Sequence, residues 1–211
     1  MITLFINTAL SKLTIGIVKE KEILYEKNLL LARSHSEFAT SEIKNAFKSI
    51  NLELKEIDQI MVVVGPGSFT GIRIGVTIAK TLSFLLNKKI IGVDSLKIRA
   101  LSQKEFDYCG VVIDARRDNV YGAIYDNKYK EILVPSFLAI EEFNEIYNKL
   151  KNKKIITSPN QELLLNDLVK DELDVLKVVE YYQNQEGVNP HLLNPFYLKK
   201  TEAEEKRSKN E

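Results

Sequence analysis

The sequence is poor in the residues that build metal and redox sites. It has one cysteine, two histidines and no tryptophan among 211 residues. A single cysteine excludes an internal disulfide framework and a zinc site made of several cysteines. With only His35 and His191 available, the chain has few ways to assemble a histidine metal site or a histidine-based triad, so we expect no metal.

The chain also lacks an excess of charge of either sign. It carries 30 Lys and Arg residues against 29 Asp and Glu residues, a net charge of +1. This balance excludes a protein that holds nucleic acid through its overall field, although it leaves room for a local basic patch. The longest apolar runs fall far short of the roughly 18 residues of a membrane span, and the first residues lack the basic region of a signal peptide. We therefore expect a cytoplasmic protein with no membrane contact.

Two successive segments of the chain show the same predicted order of strands and helices. The first has strands over 2–8, 13–18 and 23–31, a helix over 35–50, a strand at 60–64, a helix over 70–87 and a strand at 90–93. The second has strands over 109–113, 120–125 and 130–134, a helix over 140–151, a strand at 154–157, a helix over 161–170 and a closing strand at 175–179.

The order βββαβα therefore occurs twice, with a join near 95–108. Such a doubling is typical of the α/β, duplicated ribonuclease-H-like fold of actin-like ATPases (the ASKHA class). We divide the chain into an N-terminal lobe with partner-binding helices, a C-terminal lobe and a charged tail expected to be disordered. Their bounds are 1–100, 101–200 and 201–211.

Four of the nine glycines fall in one short stretch between a buried strand and a helix. Free N–H groups and the helix dipole at such a junction favour an anion. The candidate ligand residues are Gly65, Gly67, Ser68, Thr70, Gly71 and Arg73. No Walker A Gly-Lys-Ser/Thr follows, and Pro66 has no N–H to offer. A tight turn with a hydroxyl cap is therefore an equal alternative.

The helix after this loop is apolar on two sides, with Ile72 and Val76 on one side and Ile74 and Ile78 on the other. One apolar face is enough to pack a helix on a sheet, so the second face needs a cover. The first helix of the same chain is one candidate cover, and another protein is the other. The candidate partner-interface residues are Phe38, Ile43, Phe47, Ile72, Gly75, Val76, Ala79, Leu82 and Leu86. We expect Ala79→Glu or Val76→Asp to abolish pairing without disturbing the fold.

Several groups needed for independent catalysis are missing from the sequence. The first predicted strand ends in Asn7, where kinases and ATPases of this fold place a carboxylate near Mg²⁺, and a neutral amide binds a metal nucleotide less well. No Gly-x-Ser-x-Gly elbow occurs. Arg116 and Arg117 lie at a predicted hairpin tip, where they could meet phosphate or a carboxylate, and a solvated hairpin is an equal alternative.

Residues 64–75, VGPGSFTGIRIG, resemble the GPGSFTGLRIG signature of the TsaB (YeaZ) proteins. Weaker similarities follow the same order along the chain, at 35–37 (HSE), 113–121 (IDARRDNVY) and 194–199 (NPFYLK). One departure falls at the end of the first strand. Asn7-Thr8-Ala9 stands where the family often has Asp-Thr-Ser.

The resemblance implies a partner subunit without independent enzymatic activity. Such a subunit is required with TsaD, and with the ATPase TsaE, for threonylcarbamoyl transfer to the adenosine beside the anticodon in tRNA. The resemblance implies a heterodimer with TsaD through the two helices of the N-terminal half, and tRNA contact only within the complex. The resemblance implies that the isolated chain binds no cofactor and that ATP or ADP could bind at the interface with TsaD.

Three alternatives remain open from the residues. Two copies of the chain could cover each other through the same helices when TsaD is absent. A nucleotide-binding kinase or ATPase of the ASKHA type would use the glycine loop. A glycoprotease-like peptidase is the third alternative.

Overall fold

The apolar runs of the first half of the chain build one mixed sheet with helices packed against it. The computed structural model describes residues 1–30, 35–103, 105–157, 168–169 and 172–199. The first-half elements are β1 (Ile2–Asn7), β2 (Lys12–Lys19), β3 (Glu22–Leu30), α1 (His35–Ser49), β4 (Gln59–Gly65), α2 (Phe69–Leu86), β5 (Lys89–Asp94) and α3 (Ser95–Leu101). A short 3-10 turn, Leu54–Glu56, precedes β4.

The strand order in the first sheet is β3-β2-β1-β4-β5. β1 and β2 are antiparallel, as are β2 and β3, whereas β4 and β5 run parallel to β1. Phe5 in the central strand pairs with Gly16 on one side and with Met61 on the other. Strands buried on both faces are expected to carry apolar runs, and residues 4–6 of β1 and 60–63 of β4 are such buried runs.

The second half of the chain forms a second sheet with the same topology. Its elements are β6 (Tyr108–Arg116), β7 (Asn119–Asp126), β8 (Glu131–Ala139), α4 (Ile140–Asn148), β9 (Lys153–Thr157), β10 (Leu168–Val169) and α5 (Val175–Tyr182). The order β8-β7-β6-β9-β10 reproduces that of the first sheet, with β7 and β8 antiparallel and β9 and β10 parallel to β6. The predicted duplicated ribonuclease-H-like fold is confirmed.

Two predicted elements of the second half are wrong: the strand at 175–179 and the described part of the helix at 161–170. The strand expected at 175–179 is the helix α5, because Val175, Val178, Val179 and Tyr182 recur at helical spacing and are all buried. The predicted join near 95–108 contains the helix α3. The predicted helix 161–170 lies mostly outside the described residues, and its described part, Leu168–Val169, is a strand.

The last described elements pack into the first lobe. Val175, Val178 and Leu193 belong to the same buried cluster as Leu4 and Val62 of the first sheet. The division of the chain at residue 100 stays a prediction, and the structure adds that α5 contributes to the core of the N-terminal lobe. The tail 201–211 lies outside the described residues.

Within the described ranges, α2 is the one helix whose length and composition would allow it to cross a membrane, with a mean hydropathy of 1.4. A helix from a protein core passes the same test. Ile72, Val76 and Ala79 are buried, and α2 contacts β4 and β1 of the sheet. The expectation of no membrane contact stays a prediction.

Candidate functional site

The glycine loop is a tight turn that brings the end of β1 against the start of α2. A Cβ atom at Gly71 would overlap the carbonyl oxygen of Thr8, and one at Gly75 would overlap the Thr8 hydroxyl. Gly65 has a φ of 118°, a conformation that glycine adopts without strain. These glycines are therefore required by close approach of the chain to itself.

Several polar groups of the loop are already used inside the chain. The Ser68 N–H donates to the Ala9 carbonyl at 2.9 Å, and the Ser68 hydroxyl accepts from the Gly71 N–H at 3.2 Å. The Thr8 hydroxyl donates to the Gly71 carbonyl at 2.6 Å. A phosphate cradle needs free N–H groups, so this geometry favours the capped turn over the ligand-contacting loop.

The Asn7 side chain makes hydrogen bonds to the backbone of the turn that follows β1. The side chain is buried, and its Oδ1 atom accepts from the N–H groups of Ala9 at 3.0 Å and Leu10 at 3.3 Å. This amide thus holds the turn after β1 in place. The position where kinases of this fold place a metal-directed carboxylate is occupied by a neutral turn-forming group.

The exposed candidates of the loop gather at the start of α2. The Arg73 guanidinium lies 3.8 Å above the centre of the Phe69 ring, and its Nε donates to the Tyr197 hydroxyl at 3.0 Å. Phe69 in turn stacks on Tyr197 with 5.1 Å between ring centres. Thr70 is exposed beside them. Arg73 therefore joins α2 to the last described segment of the chain.

This segment, residues 189–198, lies along α2 and is called the strap here. Tyr197 contacts the first turn of α2. His191 contacts Phe84 near the C-terminal end of α2, edge to face, with 5.3 Å between the ring centres. Between them, the Lys80 ammonium donates to the carbonyls of His191 at 3.3 Å and Leu193 at 2.9 Å. The strap thus runs antiparallel to α2 over most of the helix.

Most of the predicted interface residues are buried in the chain's own core, so the prediction that they offer an accessible face is wrong. The buried ones are Ile43, Phe47, Ile72, Gly75, Val76 and Ala79. Their cover is internal because α2 packs on β4 and α1 packs beside α2. Since both side chains are buried, the expectation that Val76→Asp or Ala79→Glu preserves the fold is also wrong.

The face that is available to a partner contains other residues. Phe69, Phe84 and Leu85 of α2 and Phe38 of α1 are exposed, Leu85 at 71%. Leu82 and Leu86 are half-buried at the edge of this face. Phe38, Leu82 and Leu86 stay predicted partner contacts, and Phe69, Phe84 and Leu85 join them.

The arginine hairpin forms as predicted between β6 and β7. Arg116, Arg117 and Asp118 have φ angles of 66°, 54° and 57°, in the left-handed region. The Asn119 amide donates to the carbonyls of Arg116 at 3.4 Å and Arg117 at 2.6 Å, which stabilises this turn. Both arginines are exposed, and their contact with phosphate stays a prediction.

The remaining candidates for chemistry are inert or structural. Burial raises the pKa of the Cys109 thiol to about 12, so this thiol is neutral and a poor nucleophile. No group of three or more His, Cys, Asp and Glu side chains that could hold a metal occurs in the part of the chain that the structure describes. The absence of a metal stays a prediction.

A cavity of about 660 Å³ lies between the two lobes, at a place that sequence reasoning missed. One wall is Asp94, the N-cap of α3, whose Oδ1 accepts from the N–H groups of Leu96 at 2.7 Å and Lys97 at 2.8 Å. Burial and, to a lesser degree, the neighbouring charge of Glu131 raise the pKa of this carboxyl to about 6. The available sequence signal was an aspartate directly before the apolar pattern of a short helix.

Asp94→Asn is expected to remove a pH dependence of stability. The pKa of about 6 lies above the usual 3.8, so the folded protein resists ionisation and the wild type loses stability as pH rises from about 4 to about 6. Asparagine can still cap α3. Between pH 4 and pH 7.5 the variant should gain up to about 2 kcal/mol in free energy of unfolding relative to the wild type.

Urea unfolding at the two pH values measures this difference. The other titratable groups at the cavity, Lys97, Glu131, Tyr181 and Tyr182, are present in both proteins, so the difference between the two curves reports the Asp94 carboxyl and its coupling to these groups. Glu186→Gln, at an exposed acid outside the cavity, is the matched control. Parallel stability curves for the wild type and Asp94→Asn would contradict the prediction.

Comparison with known proteins agrees with this fold. The chain is 27% identical to the tRNA threonylcarbamoyladenosine biosynthesis protein TsaB of Bacillus subtilis (strain 168), over 98% of this chain and 97% of that protein. It is 28% identical to the TsaB protein of Buchnera aphidicola subsp. Acyrthosiphon pisum (strain APS), over 91% and 88%. The structure of YeaZ from Pseudomonas aeruginosa superposes with a TM-score of 0.73 at 20% identity, over 93% of this chain and 99% of that chain.

The doubled topology and the capped glycine turn define a member of the duplicated ribonuclease-H-like class. The family model described as TsaD, tRNA N6-adenosine threonylcarbamoyltransferase, matches residues 29–171, and the chain belongs to this family. The resemblance to the TsaB (YeaZ) proteins, predicted from residues 64–75, is confirmed.

Proposed function

We propose that the chain is a non-catalytic partner subunit that pairs with a TsaD-type transferase in the biosynthesis of threonylcarbamoyladenosine in tRNA. The observation that carries the proposal is the apolar surface that α2 leaves uncovered. Phe84 and Leu85 are exposed at 61% and 71%, although the side of this helix that carries Ile72, Val76 and Ala79 lies in the core. Large exposed apolar side chains grouped on one helix mark an interaction surface.

The strap extends this surface beside α2. Tyr197 of the strap is exposed and stacks on Phe69. The exposed Leu192 follows His191, which contacts Phe84, so apolar groups continue from the helix onto the strap. A helix of 18 residues is about 27 Å long at 1.5 Å per residue. A surface of this length, together with Phe38 on α1, is large enough for an interface of standard size, which buries about 800 Å² on each partner.

The chain's own polar groups support a subunit that leaves the chemistry to its partner. Asn7 is committed to the turn after β1, and the Ser68 hydroxyl and N–H are committed to the capped turn. The buried Cys109 thiol is neutral. The residues of the isolated chain therefore do not fit a metal nucleotide, and calorimetry of the chain with ATP and Mg²⁺ should detect no binding.

The other members of the assembly follow from the same proposal. TsaE joins the TsaD complex, tRNA is bound only within the complex, and Arg116 and Arg117 are the groups of this chain suited to its phosphates. ATP or ADP is held at the joint surface with TsaD, where Thr70 and Arg73 are exposed. Without TsaD, two copies pair through the same face, so homodimer and heterodimer exclude each other.

Leu85→Glu tests the proposed surface, because it places a charge where an apolar contact should form. We expect about thirtyfold weaker binding to the TsaD of the same organism, the usual effect of losing an interface hot spot. Leu30→Glu is the matched control, because Leu30 is equally exposed, at 73%, but lies on β3. Titration calorimetry measures both affinities, and circular dichroism checks the fold.

The two parts of the proposal fail in different ways. Absence of wild-type binding to TsaD at micromolar concentration would refute the partner role. Wild-type binding with an unchanged Leu85→Glu affinity would refute the assigned face only.

A further inference from the structure

The cavity between the lobes has walls from both sheets, and none of the residues that line it belongs to α2. Its volume of about 660 Å³ is within the range of small-molecule sites. Apolar and aromatic groups form much of the wall, and acidic groups stand among them. The residues that line it are Val64, Gly92, Asp94, Lys97, Glu131, Val134, Pro135, Tyr181, Tyr182, Gln185 and Phe196.

Two polar groups on this wall have unused hydrogen-bonding capacity. Asp94 uses Oδ1 to cap α3, and its Oδ2 has no hydrogen-bond or ion-pair partner among the described residues. The Tyr182 side chain is only 8% exposed, lines the cavity, and its hydroxyl has no hydrogen-bond partner within the described ranges. Both groups line the cavity with unused acceptor capacity, so this part of the wall can accept hydrogen bonds from a ligand.

The charge of the wall selects the sign of that ligand. Asp94 and Glu131 supply two negative charges and Lys97 one positive charge. The Lys97 ammonium donates to the carbonyl of Tyr129 and lies 4.5 Å above the centre of the Tyr125 ring, so its charge is engaged with the second lobe. The unsatisfied charge in the cavity is therefore negative.

The aromatic part of the wall suits the body of an organic cation. Tyr181 and Phe196 stand beside the acidic groups, and aromatic faces attract ammonium groups through their quadrupole. Val134 and Pro135 add apolar surface for an alkyl chain.

We propose that this cavity binds a small organic cation, a primary alkylammonium with a short apolar chain. Its ammonium donates to Asp94 Oδ2 and to the Tyr182 hydroxyl oxygen, and its chain packs on Phe196, Val134 and Pro135. The proposal goes beyond the partner role and does not depend on it.

Nuclear magnetic resonance titration of the full chain with butylammonium chloride at pH 8 tests the site. We expect saturable shifts of the Lys97 and Tyr182 amide signals in the millimolar range, as suits a ligand of about five heavy atoms. Sodium butyrate, of similar size and opposite charge, should produce no saturable shift. Asp94→Asn should weaken butylammonium binding about tenfold or more, because a charge-assisted hydrogen bond is lost.

Asp94→Asn is suited to this test because asparagine can still cap α3. The amide spectrum of the variant reports whether the variant is folded. Glu186→Gln removes an exposed acid outside the cavity and should bind butylammonium as the wild type does. Equal shifts with butyrate, unchanged binding by folded Asp94→Asn, or no saturation below about 100 mM would each overturn the proposal.

Discussion

Val76→Asp is expected to unfold the protein or bring it close to unfolding at neutral pH. Val76 is 4% exposed and belongs to the core cluster between α2 and the first sheet. An unpaired carboxylate there loses its hydration without gaining a partner, which costs about 4 kcal/mol. Since small proteins are stable by about 5–15 kcal/mol, one substitution removes a large part of the total.

Urea unfolding followed by circular dichroism measures this loss. Thr77→Asp is the matched control, because residue 77 is the next position of the same helix and is exposed. It should change the free energy of unfolding by less than about 0.5 kcal/mol. If Val76→Asp were as stable as Thr77→Asp, the burial of this face of α2 would be refuted.

Gly71→Ala has the second large expected effect, a loss of about 3 kcal/mol or more in free energy of unfolding. The added methyl group would overlap the carbonyl oxygen of Thr8, a backbone atom that cannot rotate away. Relief requires the end of β1 to move from α2, which also strains the hydrogen bond from the Thr8 hydroxyl to the Gly71 carbonyl.

Thr70→Ala serves as the control for this variant, because Thr70 is exposed on the same first turn of the helix. Thermal or urea unfolding compares the two. If Gly71→Ala were as stable as Thr70→Ala, the close approach of Thr8 would not be the reason for a glycine at position 71.

The elements with strong local signals were predicted within one or two residues of their bounds. α2 begins at Phe69 behind the Ser68 cap, against a predicted start at residue 70, because a hydroxyl cap and glycine turn mark the junction locally. α5 was mistaken for a strand because Val175 to Val179 is rich in β-branched residues. Its contacts with the first lobe outweighed that local preference.

The candidate site was less accessible to sequence reasoning, for a physical reason. An apolar side chain such as Ile72 or Val76 can serve a partner interface or the protein's own core, and the sequence is the same in both cases. Only the placement of α1 beside α2 shows that these side chains belong to the core. Gly71 faces Thr8, which lies 63 positions earlier in the chain. The cavity at Asp94 combines side chains from both sheets and α5, so no local pattern could reveal it.

The position of α5 and the strap has a consequence for how the protein is made. Val175, Val178 and Leu193 complete the core of a lobe whose sheet is finished at Asp94. A growing chain on the ribosome therefore carries this lobe with an open apolar gap until the late segments emerge. Domains usually fold as they are synthesised, N-terminal part first, but here the core of the first lobe includes residues that are synthesised only after the second sheet. Any subunit that recognises the finished face can join only after translation has passed the strap.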